Sequence, residues 1–185
     1  KALDVLFSYQ PVGPKINRVL KLAEKYPSTH FSCLIDDAAN AEQISKIFST
    51  NNFIIDVYID LNVGMNRTGI KPENALQLFN DCKALCGINI IGLHDYDGHI
   101  RDTNIDERQK NADKAFDTVI ELAEKIETST QKKLNIVAGG SPTFPVHAKR
   151  KDVECSPGTF VFWDYGYKNS FPDEPFNYAA LVITR

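Results

Sequence analysis

Short apolar runs alternate with amphipathic stretches along this chain, and the alternation predicts one repeated unit: buried strand, polar or glycine-bearing turn, helix. Residues 3–8 read as the first strand. Pro14 then suits a first helical turn, and Ile16, Val19, Leu20, Leu22 and Ala23 recur at helical spacing. Residues 31–35 form the next apolar run, ahead of Asp36-Asp37, a plausible N-cap for a helix through Ile44, Ile47 and Phe48. A longer strand over 53–61 precedes a helix over 72–85, and a strand over 88–93 precedes a helix over 106–127. Residues 134–138 and 159–163 read as the last two strands.

Runs this apolar fit parallel strands buried on both faces under helices. Six such units are visible, against eight in a (β/α)8 TIM-type barrel, so the pattern predicts an α/β barrel incomplete at its N-terminus. A doubly wound open sheet is the alternative. The chain opens almost at once on a strand and closes on another apolar run at 178–184. The expectation is therefore a fragment, with residues 1–175 as the partial barrel and 176–185 as the start of a C-terminal β domain. Residues 171–175, with Pro172 and Pro175, mark the expected boundary.

Composition changes this picture little. With 43% apolar and 24% charged residues among 185, one well-buried core is attainable. A net charge of −3, with Lys149, Arg150 and Lys151 as the only basic cluster, argues against nucleic-acid and anionic-membrane partners. No apolar run approaches the ~20 residues of a membrane-spanning helix. The four cysteines lack a zinc-type spacing. Cys82 and Cys86 are expected to share one helical face beside the core, and free thiols suit a reducing compartment, so a cytoplasmic location is expected.

In a parallel barrel the loops beyond the strands' C-terminal ends build the active site. Those loops carry Arg67, His94, Tyr96, His99, Ser141, Thr143, Asp164 and Tyr167. Gly139-Gly140-Ser141-Pro142-Thr143 could bring amides and hydroxyls close to a phosphate, and Ser156-Pro157-Gly158-Thr159 could add more; both stretches could equally be plain turns. Arg67 could grip an anionic oxygen with paired donors, or form a salt bridge to Asp60. His94, Tyr96 and His99 could orient a ring or move protons. His94 and His99 lack a third ligand at metal spacing, and no residue here is assigned to a metal. His147 lies near enough to the glycine loop to be watched.

Four blocks carry a family resemblance: residues 59–69 around Gly64-Met65-Asn66-Arg67-Thr68-Gly69, Gly92-Leu93-His94-Asp95-Tyr96-Asp97-Gly98-His99, the glycine loop through Pro145, and residues 156–164. The first resembles the alanine-racemase-type (fold type III) barrels that bind pyridoxal 5′-phosphate (PLP), and the other three resemble the D-threonine aldolase branch. The resemblance implies retro-aldol cleavage of β-hydroxy-D-amino acids, D-threonine giving glycine and acetaldehyde. It implies that Arg67 contacts the phenolic oxygen of PLP, that Tyr96 and His94 lie by its ring, and that Gly139, Gly140, Ser141, Gly158 and Thr159 hold its phosphate. Tyr96 and His99 are the expected catalytic groups.

The resemblance also implies a homodimer, and a manganese, magnesium or zinc ion held by the C-terminal domain. The cofactor-bearing lysine is expected upstream of Lys1, and neither Lys1 nor Lys15 takes that role. The 185 residues alone are expected to be inactive. Alternatives are a D-serine dehydratase-like or racemase enzyme of the same fold, a non-enzymatic PLP-binding protein, and a PLP-free sugar-phosphate barrel.

Overall fold

A computed structural model describes residues 2–177. Its strands β1 (Asp4–Phe7), β2 (His30–Ile35), β3 (Ile55–Leu61), β4 (Ile88–Asp95), β5 (Asn135–Ala138) and β6 (Val153–Cys155) form one sheet in sequential order, every neighbouring pair parallel. A doubly wound sheet reverses its strand order at a switch point. This one does not reverse, which removes the open-sheet alternative and leaves a six-stranded wall of barrel type.

The crossovers are α1 (Pro14–Lys25), α2 (Ala38–Thr50), α3 (Pro72–Cys82), α4 (Ile105–Thr130) and, between β5 and β6, the short α5 (Phe144–His147). Local chemistry sets their starts. Pro14 and Pro72 stand in first turns, where a missing N–H is harmless; Asp37 accepts from the Asn40 amide, and Asn104 from Asp106 and Glu107. One face of the sheet (Cys33, Ile35, Val57, Ile59, Leu61, Leu93) packs on the apolar stripes of the helices, including Ile16, Ile44, Phe48, Leu78, Phe116 and Val119. Each such side chain contributes roughly 1.5–3 kcal/mol on burial. Leu34, Tyr58 and Val137 form a smaller cluster on the opposite face. Among the described residues no helix is long and apolar enough to cross a membrane.

Two expectations are corrected. Residues 159–163 are not a strand: Thr159–Val161 is a 3-10 turn, and the sixth strand is Val153–Cys155. The apolar alternation there serves an aromatic cluster instead. Phe160 meets Phe144 with ring centroids 5.0 Å apart, and Trp163, turned into the left-handed region at φ 37°, meets Phe176 at 4.9 Å. Cys82 and Cys86 do not share a face either, because α3 stops at Cys82; Cys82 is buried and Cys86 exposed.

The expected boundary at 171–175 is packed down. Phe171 is fully buried, and the buried guanidinium of Arg108 on α4 pairs with Asp173 (2.5 Å) and Glu174 (3.4 Å) and lies over the Phe171 ring. A short helix α6 (Tyr165–Ser170) leads into it, capped by Asp164. The expected strand at 178–184 lies outside the described residues.

At the N-terminal rim, His30 of β2 bridges Asp4 of β1 (3.0 Å) and Asp56 of β3 (2.7 Å). The hydrogen bond to Asp56 raises the imidazole pKa above its usual 6.5; partial burial opposes it, and Asp4 adds to it. A raised folded-state value means that the bridge stabilises fully below about pH 6.5 and fades as pH climbs through the folded pKa. Wild type should therefore melt above His30→Gln at about pH 6, with the gap narrowing as pH climbs above that. A gap that ignores pH would reject the bridge.

Candidate functional site

Parallel pairing brings every strand's C-terminal end to one rim, and a cavity of about 270 Å³ opens there. Five of the six strands supply its lining. Ser8 and Tyr9 follow β1; Asp60 ends β3, with Arg67 and Thr68 beyond it; His94 and Tyr96 come from the end of β4; Ser141 follows β5; Ser156, Gly158 and Thr159 follow β6. The loop after β2 contributes indirectly. Asp36 accepts from Gln10 Nε2 (2.6 Å) and from the Gly69 amide (2.9 Å), tying three loops together.

His94 Nδ1 hydrogen-bonds Asp60 Oδ1 at 2.7 Å, both side chains buried. The two are register partners on adjacent strands, so the pairing follows from the sheet itself. Nδ1 is occupied, and Nε2 remains as the ring nitrogen without a partner among the described residues. Arg67 does not take the salt bridge to Asp60 that its position allowed. Its guanidinium lies 4.6 Å from the centroid of the Tyr96 ring, a cation–π contact. The cavity wall thus presents an arginine, a histidine held by a carboxylate, and a phenol.

The loops after β5 and β6 add hydroxyls and open backbone to the same wall. Ser141 Oγ and Thr159 Oγ1 are 3.2 Å apart, and Thr159 donates onward to the Tyr167 hydroxyl at 3.0 Å. The amides of Ser141, Gly158 and Thr159 have no acceptor among the described residues. Among the described residues, a side chain at Gly158 would meet nothing within 4 Å. Such a cluster of donors is what binds an anion.

Here the expectation for the two glycines is corrected. The Gly139 amide donates to the Asp95 carbonyl (2.9 Å) and the Gly140 amide to Asp97 Oδ1 (2.7 Å), so neither faces the cavity with a free N–H. Their service is clearance. A Cβ at Gly140 would stand 2.9 Å from Gly98 Cα, and Gly139, at φ +93°, would push one to 2.9 Å from the His147 ring. Ser141 remains the loop's donor.

The remaining sequence candidates separate. His99 is exposed and lines another recess with Val63, Ile100 and Asp102, its ring against Gly64; it is not brought to this cavity, nor beside His94. Thr143 and His147 are wholly buried behind the glycine loop. Asp164 is spent on its helix cap, and Tyr167 stacks on Trp163. The residue pattern had not singled out Ser8, Tyr9, Thr68 or Ser156 as individual candidates. Their places just past strand ends were the available signal.

Asp95 is the anomaly of the region. It alternates with His94 and Tyr96, so its carboxyl turns to the helix side of the sheet; it is fully buried, and neither oxygen has a hydrogen-bond partner among the described residues. Burial, then the neighbouring Asp97, pushes its pKa up to about 8, with Arg150 opposing.

The family model of the alanine racemase N-terminal domain matches residues 17–166. A D-threonine aldolase from an Arthrobacter species is 25% identical over 175 residues, covering 93% of this chain and 46% of that protein. The crystal structure of D-threonine aldolase from Filomicrobium marinum superimposes with a TM-score of 0.83 at 25% identity, over 98% of this chain and 51% of that one. D-threo-3-hydroxyaspartate dehydratase from Delftia sp. HT23 shares the fold at a TM-score of 0.74 and 18% identity, over 89% of this chain and 44% of its own. The chain spans about half the length of these relatives.

The orphaned carboxyl has a thermodynamic signature. Folded Asp95 keeps a proton that the unfolded chain gives up, so stability falls as pH rises from about 4 to about 8. Asp95→Asn should gain in melting temperature over wild type across that window, most at the alkaline end. Parallel pH profiles for the two proteins would count against a buried, unpaired carboxyl.

Proposed function

The chain belongs to the alanine racemase N-terminal domain family, and from that premise we propose that it forms the cofactor-binding part of a PLP enzyme cleaving β-hydroxy-D-amino acids. One observation carries the reading: a single cavity is lined by Arg67, His94 and Tyr96 together with Ser141, Ser156, Gly158 and Thr159. A phosphorylated, polar aromatic ring needs both sets, an anion cradle and a set of groups around the ring.

The residues present fit that molecule. Unpartnered amides at Ser141, Gly158 and Thr159, with the Ser141, Ser156 and Thr159 hydroxyls, would hold the phosphate. Arg67, steadied by stacking on Tyr96, would meet the phenolic oxygen with paired donors. When bound, PLP supplies an electron sink for charge developing at the substrate's Cα.

The chain's own residues orient and handle protons around it. Asp60 fixes the His94 ring and leaves Nε2 as the atom able to take or give a proton beside the cavity. Tyr96 offers a second proton-handling group in the same wall. His99 has no part here, because it lines a different recess.

Retro-aldol cleavage, D-threonine giving glycine and acetaldehyde, is favoured over dehydration by the aldolase likeness at 25% identity along 93% of the chain. The proposal extends to a divalent metal held outside this chain, a homodimer and a cytoplasmic location.

The full-length protein tests this. With PLP it should show a visible band that borohydride abolishes, and it should release glycine and acetaldehyde from D-threonine in a metal-dependent way. Ammonia and pyruvate from D-serine, without aldehyde, would replace the aldolase by a dehydratase; no band would remove PLP altogether. Arg67→Ala should weaken the band and the activity together by about 10- to 100-fold, the scale of a lost charged hydrogen bond. Unchanged activity would refute its role.

A further inference from the structure

Asp97 is wholly buried in the loop after β4, yet it is surrounded by donors. Its Oδ1 accepts from the Gly140 amide at 2.7 Å and from the Thr143 hydroxyl at 2.5 Å, and its Oδ2 faces His147 Nε2 at 2.9 Å. A buried carboxylate is tolerated only when its acceptor sites are met in this way. The far side of His147 is also fixed. Arg150 Nε donates to His147 Nδ1 at 3.3 Å, so Nε2 carries the proton that points at Asp97. Arg150 in turn reaches Asp113 on α4 at 2.5 Å and lies 4.1 Å from the Phe116 ring centroid.

A continuous polar path therefore runs from helix α4 to the amide of Gly140, the residue before Ser141. None of Asp97, Thr143 or His147 lines the cavity. What they do is draw the Gly140 amide inward, so that the chain turns and Ser141 becomes the first residue with a free N–H and a hydroxyl at the cavity wall. We propose that Asp97 and His147 are positioning residues for the anion-binding loops of the site. They act through the glycine loop and not on the ligand, and this role rests on the PLP reading above.

The role predicts a selective defect. If the pair only held the fold together, its loss would weaken every ligand alike. If it shapes the anion cradle, its loss should harm a phosphorylated ligand and spare the same ring without phosphate. Apo full-length protein is titrated with PLP and with pyridoxal, which lacks the phosphate, and the ratio of the two dissociation constants is the readout.

Asp97→Asn should cut the preference for PLP by about tenfold or more, as when a charge-assisted hydrogen bond is lost, and leave pyridoxal binding nearly unchanged. His147→Gln, which keeps an N–H donor, should retain most of the preference, whereas His147→Phe should lose it. Thr143→Val, isosteric but without the donor, should reduce it by about threefold, and it decides the matter with His147→Phe if Asp97→Asn does not fold. Equal weakening of both ligands, or a full preference in the folded variants, overturns the inference. A wild type that binds PLP no better than pyridoxal would instead overturn the cofactor reading itself.

Discussion

Each parallel pair of strands requires a crossover, and in this sheet the four longest helices pack against one face while the strand order never reverses. That arrangement leaves no freedom about where the loops emerge. Every strand delivers its C-terminal end to the same rim, so Ser8, Arg67, Tyr96, Ser141 and Gly158 surround one cavity although 150 residues separate the first from the last. Hydrophobic burial on the helix face holds the wall in shape, and the rim can then carry polar residues that contribute little to the core.

The rim's polar groups divide by how they are satisfied. His94–Asp60 is a buried pair aligned by strand register, and it leaves one imidazole nitrogen free. Asp97 is saturated by three donors from the next loop, which makes the β4 and β5 loops one rigid unit. Arg108 does similar work for residues 171–175, tying Asp173 and Glu174 to α4. Asp95, two positions from Asp97, has no donor among the described residues and is held closer to its neutral form by burial. Donors converge on one carboxyl of the two, and the difference is one of placement: Asp97 lies in the loop that the glycine stretch crosses, whereas Asp95 is still in a strand and faces the helices.

Resemblance to the D-threonine aldolases and the cavity's lining bear on the same residues. One comes from residue order along the chain, the other from which side chains share a wall. Both include Arg67, His94, Tyr96, Ser141, Gly158 and Thr159. They part at His99 and at the glycine pair, where proximity in sequence to the site residues did not become proximity to the cavity.

What residue order determined on its own was local and periodic. The helical stripe of Ile16, Val19 and Leu20, the cap at Asp37, the prolines at helix starts and five of the six strands could be read off because each depends on neighbours within a few positions. Tertiary structure alone decided the rest. Residues 159–163 look like a strand until their aromatic partners at Phe144 and Phe176 are in place. Arg67 had a carboxylate within reach and turned to an aromatic ring. The Gly140 amide looked free for a ligand until Asp97, 43 residues earlier in the chain, took it. Such choices depend on which distant groups meet after burial, and no short stretch of sequence contains both members of the pair.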